Sequence, residues 1–194
     1  MTKLILENVE KSFDEKKVLK GASFTFETGK IYGLIGRNGA GKTTLFNCIN
    51  EDMDKDGGTI EVEEDNEKRP LQADDIGYVL SSPTVPEFLT GREFLKFFAE
   101  ANPQADHTKS IDAYFDMMSI QEEDRDRLIK NYSFGMNNKM QMLTALMADP
   151  EILLLDEPLT SFDVVVAEEM KQLLRKVKTE HIIIFGSSSI SVGI

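Results

Sequence analysis

The sequence has little of what staples, anchors or exports a chain. Cys48 is the only cysteine among 194 residues. It cannot form an internal disulfide, and a reduced, cytosolic setting is the simplest reading. Histidine occurs only at His107 and His181. No apolar run approaches the roughly 20 residues that cross a bilayer; the longest, Ile152–Leu155 and Ile182–Phe185, are strand-sized. The opening Met1-Thr2-Lys3, soon followed by Glu7 and Glu10, lacks the apolar stretch and cleavage site of a secretory signal. Basic side chains are outnumbered, 22 against 34 acidic, for a net charge of -12. That argues against the basic footprint of a nucleic-acid binder. The expectation is a cytoplasmic chain with no nucleic-acid partner, for which any work at a membrane requires a separate partner chain.

What is present reads as one domain, at roughly 100–200 residues per domain, with a core that needs no disulfide or metal. Leu4–Val9 and Ala22–Glu27 are rich in β-prone residues, punctuated by Gly21 and Gly29. Ile31–Ile35 is an apolar strand running into a glycine-rich loop, and a helix is expected from Lys42 to about Asn50. Thr59–Val62 and Ile76–Leu80 read as strands, and the charged stretch Glu61–Lys68 as a solvated edge or hairpin. Thr90 and Glu93 have the spacing of a capping box. Phe94, Leu95, Phe97 and Phe98 then give the following helix a broad apolar face. Ile111–Met118, Glu122–Lys130 and Ser133–Ala148 read as helical, the last ended by Asp149-Pro150. Most of the nine methionines, among them Met117, Met118, Met136, Met140, Met142 and Met147, fall in this helical middle and read as core filler, and Cys48 as a small buried hydrophobe. A strand at Ile152–Leu155, an amphipathic helix at about Val164–Lys178 and a strand at Ile182–Phe185 complete the chain. Strands alternating with helices predict an α/β fold whose mainly parallel sheet is covered on both faces, with the helical middle inserted into it.

Gly36-Arg37-Asn38-Gly39-Ala40-Gly41-Lys42-Thr43 matches the phosphate-loop pattern G-x-x-x-x-G-K-[ST] at every fixed position. Glycines let the backbone curl until successive N–H groups point at phosphate oxygens. The helix that opens at Lys42 adds the positive end of its dipole. Lys42 is expected to reach the β and γ phosphates of ATP, and Thr43 to ligate magnesium, with Gly36, Asn38, Gly39, Ala40, Gly41 and Thr44 completing the cradle. The strand before the motif and the helix after it are the context this mechanism needs.

Ile152-Leu153-Leu154-Leu155-Asp156-Glu157 is an apolar strand with two acids at its C-terminal end. Ligands of open α/β sheets bind beyond the carboxyl ends of the strands. Asp156 is therefore the candidate to hold magnesium, and Glu157 the candidate to orient or deprotonate an attacking water.

At this point the chain resembles an ABC-family ATPase. Asn131-Tyr132-Ser133-Phe134-Gly135-Met136, just before the helix that precedes the acidic strand, is similar to the family signature L-S-G-G-Q; Ser133 and Gly135 match, while Tyr132, Phe134 and Met136 depart. The Y-S-x-G-M form resembles exporters of antibiotics, peptides or bacteriocins. Asp156-Glu157-Pro158-Leu159-Thr160-Ser161-Phe162-Asp163 is similar to D-E-P-T-S-G-L-D, with Asp163 at the aspartate that communicates across the dimer. Phe13, in Lys11-Ser12-Phe13, stands where the family places an adenine-stacking aromatic. The resemblance implies a phosphate-loop NTPase with an N-terminal antiparallel β portion and an α-helical subdomain at about residues 86–147. It also implies head-to-tail dimers, homo- or heteromeric, in which Ser133 and Gly135 close over the partner's ATP. An integral membrane permease would be a further partner, with the chain peripheral on the inner face of the cell membrane.

Two departures bear on catalysis. The family has a glutamine after the strand Ile76–Leu80, where this chain has Ser81, and a histidine after the last strand, where Gly186-Ser187-Ser188-Ser189 places Ser188 or Ser189. The resemblance thus leaves three functions open: a transport ATPase, a slow or regulatory ATP-dependent clamp, and a non-transport ABC ATPase.

Overall fold

The computed structural model describes residues 1–159, 162 and 164–188. The N-terminal half is led by an antiparallel sheet. β1 (Lys3–Phe13) and β2 (Lys16–Glu27) form a hairpin, and β4 (Gly57–Glu64) and β5 (Glu67–Pro70) form a second, giving the order β2-β1-β4-β5. The charged stretch Glu61–Lys68 is thus the second hairpin, with Asp65 and Asn66 at its tip in left-handed conformations that Asp and Asn tolerate. The parallel sheet contains β3 (Ile31–Ile35), β6 (Ile76–Val79), β7 (Ile152–Asp156) and β8 (Ile182–Ser187) in the order β3-β8-β7-β6. All three neighbour pairs are parallel.

Successive side chains of a strand face opposite ways, and β7 and β8 are apolar on both faces. Leu153, Leu155, Ile183 and Phe185 join the core on one side, Ile152, Leu154, Ile182 and Ile184 the core on the other. Between the parallel and antiparallel sheets lies α1 (Lys42–Ile49), burying Leu45, Phe46, Cys48 and Ile49. The opposite face is covered by α2 (Gly91–Ala101), α3 (Ile111–Met117), α5 (Phe134–Met147) and α6 (Val164–Val177). At roughly 1.5–3 kcal/mol for each fully buried aliphatic side chain, these two cores fix the central strands on both sides.

The helix predicted after Thr90 opens as its sequence indicates. Thr90 and Glu93 form the reciprocal capping box of α2, and Ser133 caps α5 by accepting from the Met136 N–H at 3.2 Å. The methionines Met118, Met140, Met142 and Met147 are buried. One expectation is corrected. Glu122–Lys130 is not a helix: α4 (Glu122–Arg125) is a single turn, and a short 3-10 turn follows at Ile129–Asn131. Between them Leu128 bridges to Thr90, and Ile129 and Lys130 donate to the carbonyls of Leu89 and Glu87. Backbone groups bonded to a distant segment cannot also close helical turns.

Candidate functional site at the rim of the parallel sheet

The two motifs meet because β8 lies between the strands that carry them. Gly36, just after β3, donates to the Ser187 carbonyl at 3.1 Å, and Glu157, just after β7, donates to the Gly186 carbonyl at 3.0 Å. Neighbouring strands are about 4.8 Å apart, so the glycine loop and the acidic strand end stand within side-chain reach across the end of β8. Gly186 keeps that junction tight: a Cβ there would lie 3.2 Å from the Asp156 carboxylate and from the Phe46 ring.

The loop itself curls through Gly39 and Gly41, both in left-handed conformations (φ 78° and 97°), which glycine adopts without strain. Gly41 is also pressed from β2: a Cβ would lie 3.0 Å from a methyl of Val18. The Lys42 ammonium donates to the Gly36 carbonyl at 2.6 Å and to that of Arg37 at 3.4 Å, and lies 3.9 Å from the Glu157 carboxylate. The Thr43 hydroxyl donates to the buried Asp156 carboxylate at 2.8 Å. Tyr78, whose hydroxyl donates to Asn47 at 3.3 Å, has its ionisation pushed well up, first by burial and then by the charge of Asp156. Glu157 holds a left-handed backbone (φ 51°), costly for a residue with a Cβ and of a kind that clusters at functional sites.

Asn38, Gly39, Gly41, Lys42, Thr43, Thr44, Ser81, Asp156 and Glu157 line one cleft of about 470 Å³. Lys16 and Val18 of β2 complete its lining. These two were missed in the sequence; the available signal was the hairpin, which pairs Phe13 with Lys16. Gly36 and Ala40 belong to the loop but are not among the lining residues. Phe13 is not among them either. The residue is 43% exposed, with the Lys11 ammonium 5.8 Å from the centre of its ring. Ser188 follows β8 and is exposed outside the lining. Ser133 and Gly135 sit at the start of α5, also outside the lining, with Gly135 close to the Phe162 ring. Thr160, Ser161, Asp163 and Ser189 lie outside the described residues. His181 is buried before β8, its Nδ1 2.6 Å from the Pro150 carbonyl.

Magnesium and a nucleotide fit these residues. The Thr43 hydroxyl and Asp156 carboxylate put hard oxygen donors side by side. The glycine turn brings backbone N–H groups and the start of α1 toward the same cleft.

A parallel sheet with a glycine loop on one strand end and paired acids on another defines a phosphate-loop NTPase. Sequence comparison sharpens the class. The pattern of the family described as "ABC transporter" matches residues 19–160, so the chain belongs to this family and is an ABC-type ATPase domain. Among similar proteins is the bacitracin transport ATP-binding protein BcrA of Enterococcus faecalis, 30% identical over 177 residues that span 90% of this chain and 57% of that protein. The ABC transporter ATP-binding protein NatA of Bacillus subtilis (strain 168) is 32% identical over 186 residues, 91% of this chain and 75% of that one. The fold is similar to a dimeric ATP-binding cassette in a post-hydrolysis state bound to ADP and Pi, with a TM-score of 0.78 at 23% identity, covering 97% of this chain and 89% of that one. The chain spans 57% to 64% of the length of several curated relatives it matches. Among the described residues no helix is long and apolar enough to cross a membrane.

Proposed function

We propose that this chain binds and hydrolyses Mg-ATP as the energising subunit of an ABC exporter, pairing head to tail with a second cassette and acting on an integral membrane permease at the inner face of the membrane. The observation that carries the proposal is the hydrogen bond from Thr43 to Asp156, which draws the phosphate loop and the acidic strand end into one cleft with Lys42 and Glu157.

The roles follow from the chemistry of each group. The loop amides and Lys42 hold the phosphates, Lys42 exchanging its carbonyl partners for β and γ oxygens. Thr43 and Asp156 hold magnesium, which when bound neutralises phosphate charge. Glu157 accepts a proton from, or orients, the water that attacks the γ-phosphorus. Ser133 and Gly135 do not line their own chain's cleft. Their exposed helix start suits the phosphates of a partner's nucleotide, which favours head-to-tail pairing. Residues of about 86–147 act as the helical subdomain that carries this contact. The likeness to a bacitracin transport protein and the Y-S-x-G-M sequence favour export.

A second reading has its own support. Ser81 lines the cleft where the family has a longer glutamine, and serine, at Ser188 or Ser189, stands where the family has a histidine. Both changes favour slow turnover or a regulatory clamp. Mg-ATP binding and turnover of the purified chain, beside Glu157→Gln, separate the readings. Retained binding with turnover reduced roughly 10²–10⁴-fold is expected of a lost general base. Equal background turnover in both proteins overturns hydrolysis and favours the clamp. Co-purification of an integral membrane protein tests the permease partner.

A further inference from the structure

We propose that Gln141 is a positioning residue for the nucleotide cleft: it holds the loop that carries Ser81 against the site. The inference deepens the ATPase reading above and rests on it.

After β6 ends at Val79, the chain runs through Leu80-Ser81-Ser82-Pro83-Thr84, and Ser81 joins Asp156 and Glu157 in the cleft lining. Gln141 lies midway along α5 and is 8% exposed. Its side-chain nitrogen donates to the Leu80 carbonyl at 3.0 Å, and its side-chain oxygen accepts from the Thr84 N–H at 3.1 Å. One buried amide therefore grips the loop on both sides of Ser81. Pro83 supplies no N–H of its own, which reduces what the loop can do to hold itself.

The flanking residues Met140, Met142 and Leu143 are buried and apolar. A primary amide among them is costly unless its polar atoms find partners, and here both the nitrogen and the oxygen bond to the loop. Methionine would fill a similar volume but leave the Leu80 carbonyl and the Thr84 N–H without these partners. The same helix begins at Ser133, about 12 Å away at 1.5 Å rise per residue. A movement of α5 when two cassettes pair would therefore reach Ser81 through this side chain.

The test compares full-length wild type with Gln141→Met and Gln141→Glu. It measures kcat, KM, Mg-ATP Kd, and hydrogen exchange at the Thr84 amide. In Gln141→Met, Thr84 exchange is expected to rise roughly 2- to 10-fold, the cost of one lost hydrogen bond. Its kcat is expected to fall roughly 10- to 100-fold, as for a misplaced catalytic element, with Kd unchanged. Gln141→Glu keeps the oxygen facing Thr84 and is expected to retain that amide's protection. An unchanged kcat in a folded Gln141→Met, or kcat and Kd worsening together, overturns the inference alone. A wild type that binds Mg-ATP but does not hydrolyse it, or binds none, overturns the ATPase reading and this inference with it.

Discussion

Strand β7 carries acids at both ends, and the two ends are finished differently. At its C-terminal end, Asp156 and Glu157 face a glycine loop, a hydroxyl and an ammonium across an open cleft. Before its N-terminal end, Glu151 meets the guanidinium of Arg69 on β5 at 3.5 Å. Arg69 also binds Asp75 through two nitrogens at 2.6 and 2.9 Å and Glu64 at 3.4 Å. Arginine's rigid fork hydrogen-bonds Asp75 and Glu64, lies beside Glu151, and ties the antiparallel sheet to the parallel one. A lysine held by backbone carbonyls beside a glycine turn keeps an exchangeable charge for a ligand. The acids at the two ends of one strand thus differ in what faces them: an open cleft with a lysine and a hydroxyl at one, a committed arginine at the other.

Three variants can break or sharpen that contrast. The largest effect is expected at the cleft end. Lys42→Ala removes a charged donor worth about 1.5–3 kcal/mol, so Mg-ATP affinity should fall roughly 10- to 100-fold by calorimetry. Unchanged affinity would remove the loop from the nucleotide site. Gly41→Ala should come next. It forces a Cβ into a left-handed turn and to within 3.0 Å of Val18. About 1–3 kcal/mol of stability should be lost, read as a lower denaturation midpoint together with weaker nucleotide binding.

The smallest effect is expected at the other end. Burial and the neighbouring Glu64 carboxyl push Glu151 up to about 7, while hydrogen bonding to Glu151 is the leading cause that lowers Glu64. A carboxyl raised above its ordinary value of 4.5 binds more protons folded than unfolded, so its stabilisation is present at low pH and is lost as pH rises through about 7. The contribution of Glu64 has the opposite sign and is lost only on acidification. Between pH 5 and 8 the melting temperature of Glu151→Gln should therefore fall less than that of wild type, by a few degrees at most on the scale of about 2–4 °C per kcal/mol for a chain of this size. A matching decline in both proteins would assign the pH dependence elsewhere.

Much of the cleft was legible because its determinants are short-range. The phosphate loop is contiguous, and its glycines, lysine and threonine act through backbone conformation and one helix start. The apolar run ending in two acids is equally local, and so are the caps at Thr90 and Ser133. The failed helix at Glu122–Lys130 shows the limit: Leu128, Ile129 and Lys130 took partners near Glu87–Thr90, which no periodicity reports. The same holds for Lys16 and Val18 in the cleft wall and for the place of Phe13, which rests on hairpin register and not on composition.

The sequence by itself determined which segments could cradle phosphate, which strand would be buried on both faces and how α2 would be capped, because each depends on neighbours a few positions away. The tertiary structure decided that β8 would stand between the loop and the acids, that Arg69 would gather Glu64, Asp75 and Glu151, and that Gln141 would hold the Ser81 loop. Those outcomes depend on which distant backbone and charged groups are left needing partners once the sheets have formed, and hydrogen bonds and ion pairs satisfy that need wherever packing brings a complement within about 3 Å.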